Sequence, residues 1–193
     1  NYAIETHLVD EGYLGVFPNA NQPGGDRLYA ITHRVSNARA NEVMAMGRTI
    51  LNYSGHGGTT LWDSPAMSQR DIRALDHPDA TAFVISNACI TAQFTVAESW
   101  QRHGSGASMF WGSMDNTYWD EDDILERRMY DGIYELGKDS FAEIMQYSLS
   151  QHWLHYGGQG RSKYYWETYV SLGDPSHLLR TAAPRAPSIV GPE

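Results

Sequence analysis

Short runs of β-branched and aromatic residues alternate along the chain with longer segments in which apolar residues recur every three or four positions. The runs TILNY (49–53), TAFVIS (81–86), ASMFWG (107–112) and TYVSL (168–172) have the length and composition of buried strands. Residues 28–35 are compatible with a further short strand. These runs predict the strands of a central sheet.

The segments between the runs carry helix start signals, namely capping residues or acidic first turns. In chain order these starts are Ser36, Ser68 with Asp71, Thr95 with Glu98, the acidic run Asp120–Asp123, and Ser140 with Glu143. Gly47, Gly104 and Gly157 are placed to end three of the helices. Strands that alternate with helices at these spacings predict an α/β fold with a mostly parallel sheet.

Length and composition exclude several classes of protein. The chain has 193 residues, which suits one domain, and its net charge of −9 argues against a nucleic-acid binder. No window approaches the ~18 consecutive apolar residues of a membrane span. The chain opens with neither a signal peptide nor Met, so we expect a processed or excised fragment. The alanine- and proline-rich residues 181–193 are interpreted as a tail or linker after a domain spanning residues 1–180.

Two reactive side chains each follow the end of a predicted strand. His56 lies in the glycine-rich stretch SGHGG (54–58), and Cys89 is the only cysteine. A helix-containing crossover joins the two runs, so we expect parallel neighbouring strands whose carboxyl ends meet at one edge. Alone, each residue has a structural explanation, as a turn histidine and a buried small side chain. Together they match the needs of a thiol nucleophile with an imidazole base, with the Gly57 and Cys89 amides as oxyanion donors.

Three segments carry a family resemblance. NYSGHGG (52–58), VISNACITAQF (84–94) and SLGDPSHLL (171–179) resemble the gingipain-type cysteine peptidases, which have a caspase-like fold. The first two also resemble the CHAT-type caspase-like peptidases, but the third favours the gingipain type. The resemblance implies an endopeptidase in which His56 is the general base and acid, Cys89 is the nucleophile, and the Gly57 and Cys89 amides form the oxyanion hole.

The resemblance also suggests where substrate specificity resides. In the caspase-like fold, the loop after the strand that follows the cysteine helps to form the primary specificity pocket, which here is Gly112–Asp123. We expect cleavage after Arg or Lys, with Trp119 against the aliphatic stem of the substrate side chain. The carboxylate at its cationic head would be Asp115, Asp120, Glu121, Asp122 or Asp123. The expected substrate-binding residues are Trp119, Asp120, Asp122 and Asn87. The simpler alternative is that the acidic run is a solvated helix N-terminus.

The sequence departs from the family pattern in one respect. A caspase-like domain has about six core strands, whereas the chain shows about four. The acidic residue that orients the histidine in gingipains lies well upstream, and only 55 residues precede His56. The possible substitutes are Glu5, Asp10, Glu11, Asp26 and Glu42. We therefore expect another segment of a longer precursor to complete the sheet.

Other expectations follow from the resemblance. The expected partners are a polypeptide substrate and the rest of the precursor. No cofactor is expected to be required. The family often carries structural calcium, which oxygen ligands would hold. We expect the protein to be secreted or to lie at the cell surface. The alternative is a cytoplasmic location, which is compatible with the absence of disulfides. The rival interpretation is an inactive caspase-like interaction domain. His152 and His155 are also spaced to share a metal, although a packing role is the simpler explanation.

Overall fold

The computed structural model describes residues 1–76, 82–104 and 106–181, which form a central sheet with helices on both faces. In chain order the strands are β1 (Leu14–Gly15), β2 (Gln22–Pro23), β3 (Ile50–Ser54), β4 (Leu61–Asp63), β5 (Ala66–Ser68), β6 (Ala82–Asn87), β7 (Ala107–Ser113) and β8 (Tyr169–Gly173). The helices are α1 (Asn37–Met44), α2 (Gln69–Arg73), α3 (Thr95–Arg102), α4 (Trp119–Tyr134), α5 (Phe141–His155) and α6 (Arg161–Thr168), preceded by a π-helical segment at Ile4–Leu8.

The central sheet has the strand order β3-β6-β7-β8. β3, β6 and β7 are parallel, which confirms the predicted mostly parallel sheet, and β8 runs antiparallel to β7. The four predicted strands are therefore present, each within one or two residues of the expected bounds. Two antiparallel pairs, β1 with β2 and β4 with β5, lie outside this sheet.

Successive side chains of β6 point to opposite faces of the sheet, because the side-chain period of a strand is two. Phe83 and Ile85 join the core beneath α4 and α5, while Val84 joins the core that contains Trp62 and Trp100. All three strand residues are at most 2% exposed. A strand buried on both faces gives the continuous apolar run seen in the sequence rather than an alternating one.

Several helix starts agree with the sequence. The Ser36 hydroxyl accepts a hydrogen bond from the Arg39 amide, and Ser68 and Asp71 form a reciprocal capping box. The start of α3 differs, because its N-cap is Phe94, with φ 59°, and Thr95 is already helical. The expected Thr95 capping box is therefore wrong. α6 was not predicted from the sequence.

The expected strand at residues 28–35 is also wrong. The Tyr29 carbonyl accepts a hydrogen bond from the His33 amide at 3.0 Å, and the two rings stack with centroids 5.6 Å apart. Arg34 has φ 48°, which no regular strand accommodates. Local turn contacts therefore replace extended backbone in this segment.

One edge of the sheet borders a large cavity. Within the described ranges no strand pairs with the outer edge of β3, and a cavity of about 1220 Å³ extends along this strand from Arg48 to His56. No helix of the described residues is long and apolar enough to cross a membrane. Residues 182–193, most of the predicted tail, lie outside the described residues.

Candidate active site

His56 and Cys89 follow neighbouring parallel strands, as the topology argument expects. Ser54 at the end of β3 is the register partner of Asn87 at the end of β6, and each reactive residue comes two positions later. The Gly55 amide donates a hydrogen bond to the Asn87 carbonyl at 3.3 Å. The two loops therefore leave the sheet side by side.

Gly57 brings the two loops into direct contact. A Cβ atom at Gly57 would lie 2.5 Å from Thr91 Cγ2, 2.8 Å from Ala88 Cβ and 3.0 Å from the Cys89 carbonyl oxygen. Only the absence of a side chain permits this approach. In the described part of the chain, neither the Gly57 amide nor the Cys89 amide donates a hydrogen bond, so both N–H groups are available to a ligand.

His56 is exposed, but its backbone is held firmly. Its carbonyl oxygen accepts hydrogen bonds from the Tyr53 hydroxyl at 2.6 Å and from the Asp63 amide at 3.0 Å. Its ring lies edge-on to Trp119, with centroids 5.9 Å apart and an interplanar angle of 76°. The imidazole is thus accessible while its loop is anchored to the core through Tyr53.

The loop after β7 wraps around the half-buried Cys89. The Thr117 amide donates a hydrogen bond to Cys89 Sγ at 3.3 Å, and the Asp115 carbonyl accepts one from the Ile90 amide at 3.0 Å. Ile90 adopts φ 54°, a conformation that costs a β-branched residue energy and turns the chain sharply after Cys89. A backbone N–H aimed at the sulfur is a donor able to stabilise negative charge there.

The expected substrate-binding residues occupy different environments. Trp119 is 62% exposed at the start of α4, and Asp120 is also exposed. Asp122 is 6% exposed, and its Oδ1 accepts hydrogen bonds from the hydroxyls of Tyr165 at 2.8 Å and Tyr169 at 2.6 Å. Burial raises the pKa of the Asp122 carboxyl. Trp119 and Asp122 both line the cavity.

Asn87 leads to a residue that the sequence analysis missed. Its side chain is buried, and its Nδ2 donates to Glu126 Oε2 at 3.1 Å. The Ser54 hydroxyl donates to the same oxygen at 2.7 Å. A possible signal was the position of Glu126 one turn after Asp122 on α4, which places both carboxylates on one helix face.

The five carboxylates proposed as histidine-orienting groups either have another partner or are exposed. Asp26 pairs with Arg48 at 2.6 Å and accepts hydrogen bonds from the Val16 and Phe17 amides. The other four side chains, Glu5, Asp10, Glu11 and Glu42, are exposed. Across the described ranges, no carboxylate forms a hydrogen bond with the His56 ring.

One group of side chains converges closely enough to be considered as a metal site. Among the residues described, the one group of three or more converging ligand side chains is His7, Asp131 and Glu135. Its imidazole does not suit calcium, which takes oxygen ligands, and Asp131 already binds the hydroxyl of Tyr2 and the guanidinium of Arg128. Structural calcium stays a prediction without identified ligands.

Similar solved structures share this fold. The structure of the Arg-specific cysteine proteinase gingipain R aligns with a TM-score of 0.73 at 22% identity, over 78% of this chain and 38% of that one. A structure described as a protease aligns with a TM-score of 0.76 at 23% identity, over 95% of this chain and 44% of the other. The chain therefore has the α/β fold of gingipain domains.

Sequence comparison identifies the family. The profile of peptidase family C25 matches residues 2–180, and the chain belongs to this family. Lys-gingipain W83 of Porphyromonas gingivalis is 26% identical over 167 residues, which cover 72% of this chain. The chain spans about a tenth of the length of the curated relatives that it matches. The predicted gingipain-type resemblance is confirmed.

Proposed function

We propose that this chain is the catalytic part of a cysteine endopeptidase that cleaves polypeptides after Arg or Lys through Cys89 and His56. The observation that carries the proposal is the contact between the two loops at Gly57. This contact puts an accessible imidazole loop against the cysteine loop at the carboxyl ends of adjacent parallel strands. Membership of a peptidase family supports the same conclusion.

The chemistry assigns one role to each group. His56 takes the thiol proton as Cys89 Sγ bonds to the peptide carbonyl carbon, and the Gly57 and Cys89 amides stabilise the resulting oxyanion. The carbon–nitrogen bond then breaks as His56 gives the proton to the leaving amine. In the second half, His56 accepts a proton from water as the water oxygen attacks the thioester carbon. The carbon–sulfur bond then breaks, the carboxyl product leaves, and the proton returns to the Cys89 sulfur.

Selection of a basic side chain is supported by an apolar wall beside carboxylates. Trp119 is exposed next to the His56 ring, and Asp122 lines the same cavity. Replacing either Asp120 or Asp122 by Ala is expected to lower turnover of peptides with Arg or Lys before the scissile bond. Unchanged turnover in both variants would show that neither carboxylate contributes to the selection of a basic side chain.

The rest of a longer precursor is the proposed partner of the β3 edge. The cavity beside β3 and the partial coverage of the gingipain R structure support a segment that completes the sheet and supplies the carboxylate that orients His56. A similar structure is a complex of the pro- and mature domains of a gingipain, which suggests regulation as a zymogen. Secretion or attachment to the cell surface is proposed for the protein by analogy with the gingipains.

Covalent labelling of the purified full-length protein tests the proposal. An acyloxymethyl ketone that carries Lys or Arg is expected to modify Cys89, as located by peptide mass spectrometry. His56→Ala should abolish the modification, whereas His155→Ala, a matched change at an exposed histidine on α5, should preserve it. If Cys89 stays unmodified in a protein that unfolds cooperatively, the inactive interaction domain is the correct interpretation. A peptide-library cleavage profile, with Cys89→Ala as the control, then defines the substrate preference.

A further inference from the structure

The side chains of His7, Asp131 and Glu135 converge at a place that the proposed reaction does not use. The Nε2 atom of His7 lies 3.1 Å from Asp131 Oδ1, and one ligand atom from each of the three side chains lies within 4.8 Å of the other two. His7 is 6% and Asp131 4% exposed, whereas Glu135 is exposed. None of the three lines the cavity beside β3. The cluster is therefore a buried pair with a third ligand on its solvent side.

Two separate segments supply the ligands. Asp131 and Glu135, the C-cap residue of α4, are four positions apart, so their side chains lie on one face of the helix. His7 comes from the π-helical segment Ile4–Leu8, in which the Val9 amide donates a hydrogen bond to the Ile4 carbonyl at 3.1 Å. π-helical turns are rare and are frequently found at functional sites. The cluster joins segments that are 124 positions apart in the sequence.

Aromatic contacts hold the His7 ring in place. Tyr134 stacks on the imidazole with ring centroids 5.6 Å apart, and Tyr2 lies edge-on to it at 5.7 Å. A side chain that is already fixed loses little conformational entropy when it binds an ion. With its proton on Nδ1, the neutral ring presents the lone pair of Nε2 toward Asp131, which is how histidine binds a metal.

The two oxygens of Asp131 have different partners. Oδ2 accepts a hydrogen bond from the Arg128 guanidinium at 3.0 Å, while Oδ1 faces Nε2 of His7. Carboxylates that ligate a metal are commonly held by such outer hydrogen bonds, which orient them. The Tyr2 hydroxyl donates to Oδ1 at 2.7 Å. Because a carboxylate oxygen has two lone pairs, Oδ1 can accept this hydrogen bond and also bind a metal ion.

The ligand types and their spacing fit zinc. One imidazole nitrogen with two carboxylate oxygens suits Zn²⁺, whereas Ca²⁺ takes oxygen ligands. In a tetrahedral site with bonds of about 2.0 Å, neighbouring ligand atoms are roughly 3.3 Å apart, close to the 3.1 Å between His7 and Asp131. Glu135 forms no salt bridge within the described ranges. Its exposed side chain can therefore reach the ion by a change of rotamer.

We propose that His7, Asp131 and Glu135 bind a zinc ion, with water in the fourth position. The ion fastens the π-helical segment before β1 to the C-terminal end of α4, so its role is to stabilise the fold. The site is separate from the residues assigned to peptide hydrolysis. The competing explanation is that the hydrogen bond between His7 and Asp131 fastens the segment without a metal.

Calorimetric titration with ZnCl₂ tests the proposal in the full-length Cys89→Ala protein, in which the thiol cannot compete for the metal. A single zinc ion is expected to bind. Glu135→Gln, which keeps the bond between His7 and Asp131, should weaken binding at least roughly 10-fold, and His7→Gln should weaken it further. Glu143→Gln and His155→Gln, the same changes at exposed positions of α5, should leave the affinity unchanged. The absence of zinc binding, or an unchanged affinity in folded Glu135→Gln protein, would overturn the proposal whatever His7→Gln shows.

Two further measurements locate the ion and identify its type. Hydrogen exchange at the amides of Ile4–Leu8 should slow several-fold when ZnCl₂ is added, and should not respond in Glu135→Gln. A roughly 100-fold excess of CaCl₂ should not displace the zinc, because the site includes an imidazole. Unchanged exchange in zinc-bound protein, or displacement by calcium, would contradict the proposed site. Neither measurement depends on peptide hydrolysis, so the zinc site stands or fails independently of the proposed function.

Discussion

The hydroxyl of Tyr53 donates a hydrogen bond to the carbonyl oxygen of His56 at 2.6 Å. Tyr53 is 7% exposed and stacks on Trp62 with ring centroids 4.6 Å apart. Trp62 in turn donates from its Nε1 to the Ser86 hydroxyl of β6 at 2.9 Å. The backbone of the exposed histidine is thereby anchored to the strand that carries Cys89.

Tyr53→Phe removes this anchor but keeps the aromatic stacking. We expect kcat to fall roughly 10-fold with little change in KM, and the free energy of unfolding to fall by about 1 kcal/mol. Steady-state kinetics and urea denaturation measure the two effects. Tyr147→Phe on α5, whose hydroxyl makes no hydrogen bond within the described ranges, is the matched control. Lower stability with an unchanged kcat would show that Tyr53 does not position His56.

Gly57→Ala tests the contact between the two loops. The new Cβ would meet Thr91, Ala88 and the Cys89 carbonyl at 2.5–3.0 Å, so the loops must separate. We expect kcat/KM to fall by at least roughly 100-fold, because displacement of about 1 Å at a reacting group costs this much. Gly58→Ala is the control, since the nearest atom to its new Cβ is the Leu61 carbonyl oxygen at 4.0 Å. Similar activities in the two variants would contradict the role assigned to the contact.

Trp119→Ala should separate substrate binding from stability. The indole is 62% exposed, so its removal leaves little cavity, and we expect the unfolding midpoint to stay within a few degrees of wild type. KM for basic peptides should rise about 10-fold, since one wall of the pocket is lost. Trp166→Ala, a change at another exposed tryptophan outside the cavity, should leave KM unaltered. A large loss of stability in Trp119→Ala would instead indicate a packing role.

The free energy of unfolding is expected to depend on pH through His152. Its side chain is fully buried against Tyr165, with ring centroids 4.6 Å apart, and neither ring nitrogen has a hydrogen-bond partner in the described part of the chain. Desolvation lowers the pKa of His152 to about 4. The predicted packing role is consistent with this position, whereas a metal shared with the exposed His155 has no support from it.

Because the pKa is lower in the folded state than in the unfolded state, the neutral ring stabilises the fold above about pH 6.5. That contribution is lost as the pH falls from about 6.5 to 4, and its full size is about 3 kcal/mol. His152→Phe should therefore flatten this part of the curve of unfolding free energy against pH, as measured by urea denaturation. His155→Gln is the control. Equal slopes in wild type and His152→Phe would contradict the assignment.

The parts of the fold that sequence reasoning predicted depend on local patterns. The runs that became β3, β6 and β7 are short and apolar, and the side chains of Ser36, Ser68 and Ser140 cap helices where expected. The elements that were predicted wrongly or missed depend on contacts with distant parts of the chain. Arg34 and Phe94 adopt positive φ values that no residue type signals in advance, and α6 lies in an aromatic segment with weak amphipathic character.

The sequence by itself determined that an imidazole and a thiol follow two consecutive strand runs, and parallel pairing places the carboxyl ends of such strands at one edge. Only the tertiary structure decided which carboxylates face the cavity. Glu126 meets Ser54 across 72 positions and Asn87 across 39, and Asp122 is turned toward Tyr165 and Tyr169. These contacts come from the packing of α4 against the sheet, and packing between distant segments leaves no periodic trace in the chain.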